Sequence, residues 1–118
     1  MTDTNIVIIK GRLTRKPEGT DTATGMHIAN FTVASSKFKK KGQEKADTNF
    51  FSVVSFGKTA EFATQHLDKG VMVVVTGSLD ISTYKDKEDK TVWTTKIIAS
   101  NIDPMWEKKE ETNEEDDF

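Results

Sequence analysis

An all-β fold, one barrel of five strands with a single helix, is what this sequence predicts, and three observations predict it. Val, Ile, Thr and Phe concentrate in five short segments, two of those segments alternate apolar with polar residues, and a stretch with helical spacing separates the third segment from the fourth.

The first segment is NIVIIKGRLT from Asn5. It is apolar on both faces at Ile6, Val7, Ile8 and Ile9, so its second face is expected to be covered by the curl of the barrel or by another subunit, and the subunit contact is the expectation taken forward. The second, HIANFTVASS from His27, puts Ala29, Phe31 and Val33 on one face against Asn30 and Thr32 on the other. The third is NFFSVVSF from Asn49. The fourth, VMVVVTGSLDISTY from Val71, sets Val71, Val73, Val75, Leu79 and Ile81 opposite Thr76, Ser78, Asp80 and Ser82, and TVWTTKIIASNI from Thr91 is the fifth. Between the third and fourth, Lys58 to Lys69 places Ala60, Ala63 and Leu67 on one helical face, with Gly70 as the expected C-terminal stop. Three strands, a helix and two strands is the order of a small Greek-key barrel of the OB type. An immunoglobulin-like sandwich needs about seven strands and has no place for the helix.

The connections RKPEGTDTATG (Arg15 to Gly25), KFKKKGQEKADT (Lys37 to Thr48) and KDKEDK (Lys85 to Lys90) are polar and rich in Gly or Lys, as loops and hairpin tips are. After Pro104 the apolar pattern stops. Two regions follow: a domain over residues 1–106 and a tail over 107–118 too polar to offset its own chain entropy, hence expected to be disordered when free.

Composition narrows the function. The net charge of −2 divides unevenly: EKKEETNEEDDF holds seven acids and two lysines, net −5, while residues 1–106 hold 15 basic and 12 acidic side chains, net +3. A basic body fits a polyanionic ligand. Cysteine is absent, which excludes disulfides, thiolate metal sites and cysteine nucleophiles. The start MTDTNIVIIK has no basic segment ahead of its short apolar run, and no run reaches the roughly 18 residues a membrane helix needs, so no signal or membrane association is expected and the cytoplasm is the expected compartment. FGKTA at Phe56 resembles the end of a phosphate-binding loop, but Ser52 stands where that motif requires glycine. His27 and His66 have no acidic residue at ligand spacing, so neither metal nor cofactor is expected and both are read as ordinary strand and helix residues. With no nucleophile or acid/base pair readable, catalysis is not expected.

Aromatic and cationic residues are interleaved instead. Phe38 lies within SSKFKKK beside Lys37, Lys39, Lys40 and Lys41; Phe50 and Phe56 share a parity on the third strand; Tyr84 precedes Lys85. Rings for bases to stack on and cations for phosphates are what sequence-independent binding of single strands requires. Phe31, Phe51 and Phe62 are assigned to the core, as most phenylalanines are.

The blocks GRLTRKPE, TGMHIANFTVASS, FFSVVSFGKTAEF, LDKGVMVVVTGSL and YKDKEDKTVWTTKIIA, in that order from about Asn5 to Ile102, resemble the bacterial and phage single-stranded DNA-binding protein family. That resemblance implies an OB-fold core, assembled as a homotetramer, that wraps single-stranded DNA without catalysis. The implied stacking residues are Phe38, Phe50, Phe56 and Tyr84, and the implied phosphate contacts are Arg12, Lys37, Lys39, Lys40, Lys41, Lys58 and Lys85. Relatives often carry tryptophan at two of the aromatic positions, and phenylalanine at Phe38 and Phe50 offers less stacking area. Trp93 shares the parity of Ile97 and Ala99 and is read as core or subunit packing at least as readily as a base contact, while Trp106 is left to plug the barrel end or cover the sheet.

The family's tail docks replication and repair enzymes through acids, a proline and a terminal phenylalanine. Here Glu114, Glu115, Asp116, Asp117 and Phe118 retain the acids and the terminal ring, but the proline and the aliphatic residue before it are missing, which leans towards a phage-encoded origin. Two binding alternatives stand beside this reading: an RNA-binding or primosome-type OB module, and a purely structural interaction domain whose aromatics fill a protein interface.

Overall fold

Alternation along a strand decides which side chains are buried, and pairing decides which strands share them. The structure is a computed structural model that describes residues 3–106; the tail, with Glu114 to Phe118, lies outside the described residues. The chain forms β1 (Val7–Leu13), β2 (Glu18–Asp21), β3 (His27–Ser36), β4 (Thr48–Phe56), α1 (Gly57–His66), β5 (Met72–Lys85) and β6 (Thr91–Pro104). The five predicted strands are β1, β3, β4, β5 and β6, with the helix where the spacing placed it. The short β2 is an addition, inside the segment read as a loop. Its four residues are all exposed and carry no apolar alternation. Backbone pairing makes it a strand, from Glu18 opposite Asn30 to Asp21 opposite His27, closed by a turn in which Gly25 adopts φ 92°.

The sheet order is β1-β5-β6-β4-β3-β2, and β1 also pairs with β3, so five strands close into the ring expected of an OB-type barrel. β1 makes the closure by pairing along Val7 to Arg12 with β5 and at Arg12 and Leu13 with β3. At the crossing a Cβ on Gly11 would run into the Ala34 carbonyl, so the close approach requires glycine there. Opposite, β4 and β6 run parallel and meet at Val53 with Ile97 and Val54 with Ile98. The ring interior is filled by Phe31, Val33, Val53, Val73, Val75 and Ile97.

Helix α1 packs on β3, β4 and β6 with Ala60 and Ala63 fully buried, and Leu67, just past its end, is fully buried with them. It ends earlier than the predicted Lys69. Leu67 is already extended, with its N–H donating to Ala63 O at 3.1 Å. Gly70 is therefore not the helix stop; it adopts φ 85° in the following turn and donates its N–H to Leu13 O at 2.9 Å, anchoring that turn to the end of β1.

Apolar residues also stay exposed on two strands. Val7 and Ile9 of β1 pack against the core while Ile8 and Ile6, the residue just ahead of the strand, are exposed, so the curl of the ring does not cover the second face. On β5, Leu79 and Ile81 share the parity of the buried Val73 and Val75 yet are exposed, because the β5–β6 ribbon continues past the ring. Trp93, opposite Thr83 on that ribbon, is 71% exposed and so is not a core residue.

A bulge lets β6 serve both ring and ribbon. Thr76 pairs with Asn101 but Gly77 with Ala99, leaving Ser100 as the extra residue, and its hydroxyl donates to Thr76 O at 3.0 Å. Ile97 and Ala99 before the bulge and Ile102 after it all point inward as a result. A Cβ on Gly77 would land on the Ile98 carbonyl. Gly77→Ala is expected to lower unfolding stability by roughly 1–3 kcal/mol in urea denaturation, and a stability equal to the parent's would contradict this tight crossing. Leu67→Ala, by emptying the space beneath α1, is expected to cost about 2–5 kcal/mol in the same assay.

Candidate nucleic-acid interface

On β4 the inward parity is Phe51, Val53 and Ser55; the outward parity is Phe50, Ser52, Val54 and Phe56. Ser55 is fully buried and its hydroxyl donates to Ala29 O at 3.5 Å, which keeps the inward row satisfied. The outward row ends in two exposed rings, Phe50 at 66% and Phe56 at 41%. Five residues of strand lie between them, and the six steps span about 20 Å at roughly 3.3 Å per residue. In register beside that row on β3 stand Ala34, Thr32, Asn30 and Ile28.

Between the two rings the surface sinks into a hollow of about 190 Å³ lined by Arg15, Glu18, Asn30, Thr32, Ser52 and Lys96, among others. Its lining mixes amide and hydroxyl with the apolar Phe31, Val53 and Val54, and carries two cations against one carboxylate. Among the described residues neither Arg15 nor Lys96 is in an ion pair. Arg15 arrives from the connection between β1 and β2, and Lys96 from β6 at the level of Ser52. Neither was named from the sequence. Asn30 and Thr32 were legible as the polar side of β3, but which cations they would meet depends on strand pairing.

Tyr84 joins the same face at a distance. It is exposed, pairs with Val92, and by alternation shares the side of Thr94, Lys96 and Ile98, which the parallel register sets beside Val54. Lys85 follows at the opposite parity, where the ribbon turns; there Asp86 Oδ1 accepts the N–H groups of Glu88 and Lys90, each at 2.9 Å.

Phe38 stands on the loop of the β3–β4 hairpin and is 98% exposed, with Lys37, Lys39, Lys40 and Lys41 around it. Lys37 N–H donates to Asp47 O at 2.8 Å and carries the hairpin one rung past Ser36 and Thr48. A ring this open contributes nothing to the core.

Arg12 flanks the face on the β1 side. It pairs with Ala34, which in turn pairs with Phe50, so the three residues form one outward row across three strands. Its Nη1 donates to Gly70 O at 2.9 Å. With Lys10, Ala34, Ser36 and Thr48 it lines a second hollow of about 370 Å³. Lys58 stands apart from both hollows: it opens α1 two residues past Phe56 and lines a different depression with Phe62 and Ile102.

His27 serves the fold. Its Nδ1 lies 2.7 Å from Asp21 Oδ1 and its Nε2 3.0 Å from Thr64 Oγ1, tying β2, β3 and α1 together. Among the described residues no group of three or more potential metal ligands occurs, and no helix is long and apolar enough to cross a membrane.

An open face of separated aromatic rings with hydroxyls, amides and cations between them has the chemistry to hold bases by stacking and phosphates by charge. Comparison with known proteins agrees in kind. The model of the single-strand binding protein family matches residues 4–105. Single-stranded DNA-binding protein 1 of Staphylococcus aureus (strain MSSA476) is 33% identical over 112 residues, which cover 95% of this chain and 72% of that protein. Single-stranded DNA-binding protein 3 of Clostridium acetobutylicum is 37% identical over 100 residues, covering 83% of this chain and 68% of the relative. With its ring of strands and a family match that takes in nearly every described residue, the chain belongs to the single-strand binding protein family.

Proposed function

We infer that this protein binds single-stranded DNA without strong sequence preference and covers exposed strands during replication, recombination and repair in the cytoplasm. The observation that carries the reading is the outward row of β4, where Phe50 and Phe56 leave their rings in solvent on either side of a hollow rimmed by Arg15 and Lys96. Single-stranded DNA is also what the named relatives are said to bind.

The mechanism is binding alone, with no bond made or broken and no cofactor. Bases unstacked from one another lie on Phe38, Phe50, Phe56 and Tyr84, each contact worth roughly 1–3 kcal/mol. Arg12, Lys37, Lys39, Lys40, Lys41, Lys58 and Lys85, joined by Arg15 and Lys96, neutralise the phosphates, and the counterions they release make affinity fall with salt. Every base has a π face, so this grip is indifferent to sequence.

Self-association into a homotetramer belongs to the same proposal. Ile8 on β1 and Ile6 just ahead of it are large apolar side chains left open, and covering them with a second copy removes that surface from water. The acidic tail ending in Phe118 is proposed to dock replication and repair proteins and, when unengaged, to compete with DNA for the basic body.

Phe38→Ala, Phe50→Ala and Tyr84→Ala are each expected to weaken poly-dT binding by about 1–3 kcal/mol while leaving the circular dichroism spectrum and melting temperature close to the parent's. If all three bind like the parent, the stacking assignment is wrong. Removing residues 107–118 is expected to tighten binding at low salt, with the gain shrinking as ionic strength rises; a salt titration that superimposes on the full chain's would remove the tail from the binding equilibrium.

A further inference from the structure

The open face does not end at Arg12. Arg12 and Met72 stand in the wall of the hollow beside Ala34 and also in the wall of the next one, a depression of about 260 Å³ completed by Lys69, Gly70, Met105 and Trp106. Three distant stretches of chain build it, and backbone bonds fix each one. Leu13 N–H donates to Val71 O at 3.0 Å and Gly70 N–H to Leu13 O at 2.9 Å, stitching the turn after α1 to the end of β1. Arg12 Nη1 holds the Gly70 carbonyl from the side, and Met105 N–H donates to Met72 O at 2.8 Å, carrying β6 past Pro104 and delivering Trp106 to the corner.

Trp106 lines this depression at the end of β6. It is 52% exposed. The charged residues that line the depression are Arg12 and Lys69, both cations. Asp68, next to Lys69, accepts the Lys69 backbone N–H at 2.7 Å. An exposed indole in a concave surface with two cations beside it suits a nucleobase flanked by phosphates, and the depression is continuous through Arg12 with the row Arg12, Ala34 and Phe50.

We propose that Trp106 is a further stacking platform for single-stranded DNA, with Arg12 and Lys69 holding the adjoining phosphates, so that a strand lying on Phe50 continues across Ala34 to the corner formed by β1, the turn after α1 and the end of β6. The proposal rests on the single-strand reading above and lengthens the path that reading describes. It uses an aromatic outside the set Phe38, Phe50, Phe56 and Tyr84.

The chain has two tryptophans, so Trp93→Phe leaves Trp106 as the sole indole. In that full-length variant, saturation with an oligo-dT of about 16 nucleotides, the upper range for one barrel of this type, is expected to quench the emission. Binding of the same oligomer is followed in parallel by fluorescence anisotropy of a label on the DNA. Bound oligomer with unchanged indole emission overturns the Trp106 site and leaves the wider reading standing, whereas failure of the parent to bind oligo-dT at all overturns both. Emission that responds to protein concentration and not to DNA also overturns it, assigning Trp106 to a contact between copies. In the second arm, Trp106→Ala is expected to lose roughly tenfold in affinity for the long oligomer and little for one of about 4 nucleotides, with Trp106→Phe recovering most of the loss. Equal affinities of Trp106→Ala and the parent at both lengths would refute the site.

Discussion

β1 pairs with β5 along most of its length and with β3 at its end, and this double engagement turns a sheet into a ring. A closed ring has one interior, so every strand that contributes to it must send alternate side chains inward and leave the others facing out. On β4 that rule buries Val53 and Ser55 and forces Phe50 and Phe56 into solvent on the other side. Large rings exposed by the geometry of closure are expensive in water unless something lies on them. The candidate interface is therefore a by-product of how the core is made, and the two cannot be altered independently along β4.

Where the ring stops, the same strands continue with a different role. Beyond the β4–β6 pairing at Ile97 and Ile98, β5 and β6 continue as a two-stranded ribbon, which exposes Leu79, Ile81 and Trp93 on one side and Tyr84 on the other. The ribbon and the β3–β4 hairpin extend the reach of a small barrel, placing Tyr84 and Phe38 away from the central row of Phe50 and Phe56. Charge is distributed on the same principle. A net charge of −2 over the chain is compatible with holding a polyanion because cations outnumber acids in the outer hollows, Arg15 and Lys96 against Glu18 in one and Lys10 with Arg12 in the other, while a large share of the acid is confined to residues 107–118.

Much of this architecture is legible before any coordinates. Alternation in HIANFTVASS identifies Ala29, Phe31 and Val33 as interior, and the spacing of Ala60, Ala63 and Leu67 identifies the buried face of α1; all six are buried. β2 was missed because strand character there comes from pairing to β3 and not from its own residues, Glu, Gly, Thr and Asp. Of the readings of Trp93, the core one does not hold: its side of β6 is interior at Ile97 and exterior four residues earlier, where the ring has ended. Arg15 and Lys96 went unnamed because neither stands near an aromatic in sequence, and only the β1–β3, β3–β4 and β4–β6 pairings bring them to the rim of one hollow.

What the sequence by itself determined is the class of the molecule and the chemistry it carries: five strands and a helix, a basic body with an acidic tail, no thiol, and aromatics interleaved with lysines. Those properties follow from local periodicity and composition, which are fixed residue by residue. Which aromatics share a surface, which cations face them, and where a strand ceases to be core were decided only by the tertiary structure. Each of these depends on register between segments far apart in the chain, and in a strand a shift of one residue reverses every side chain.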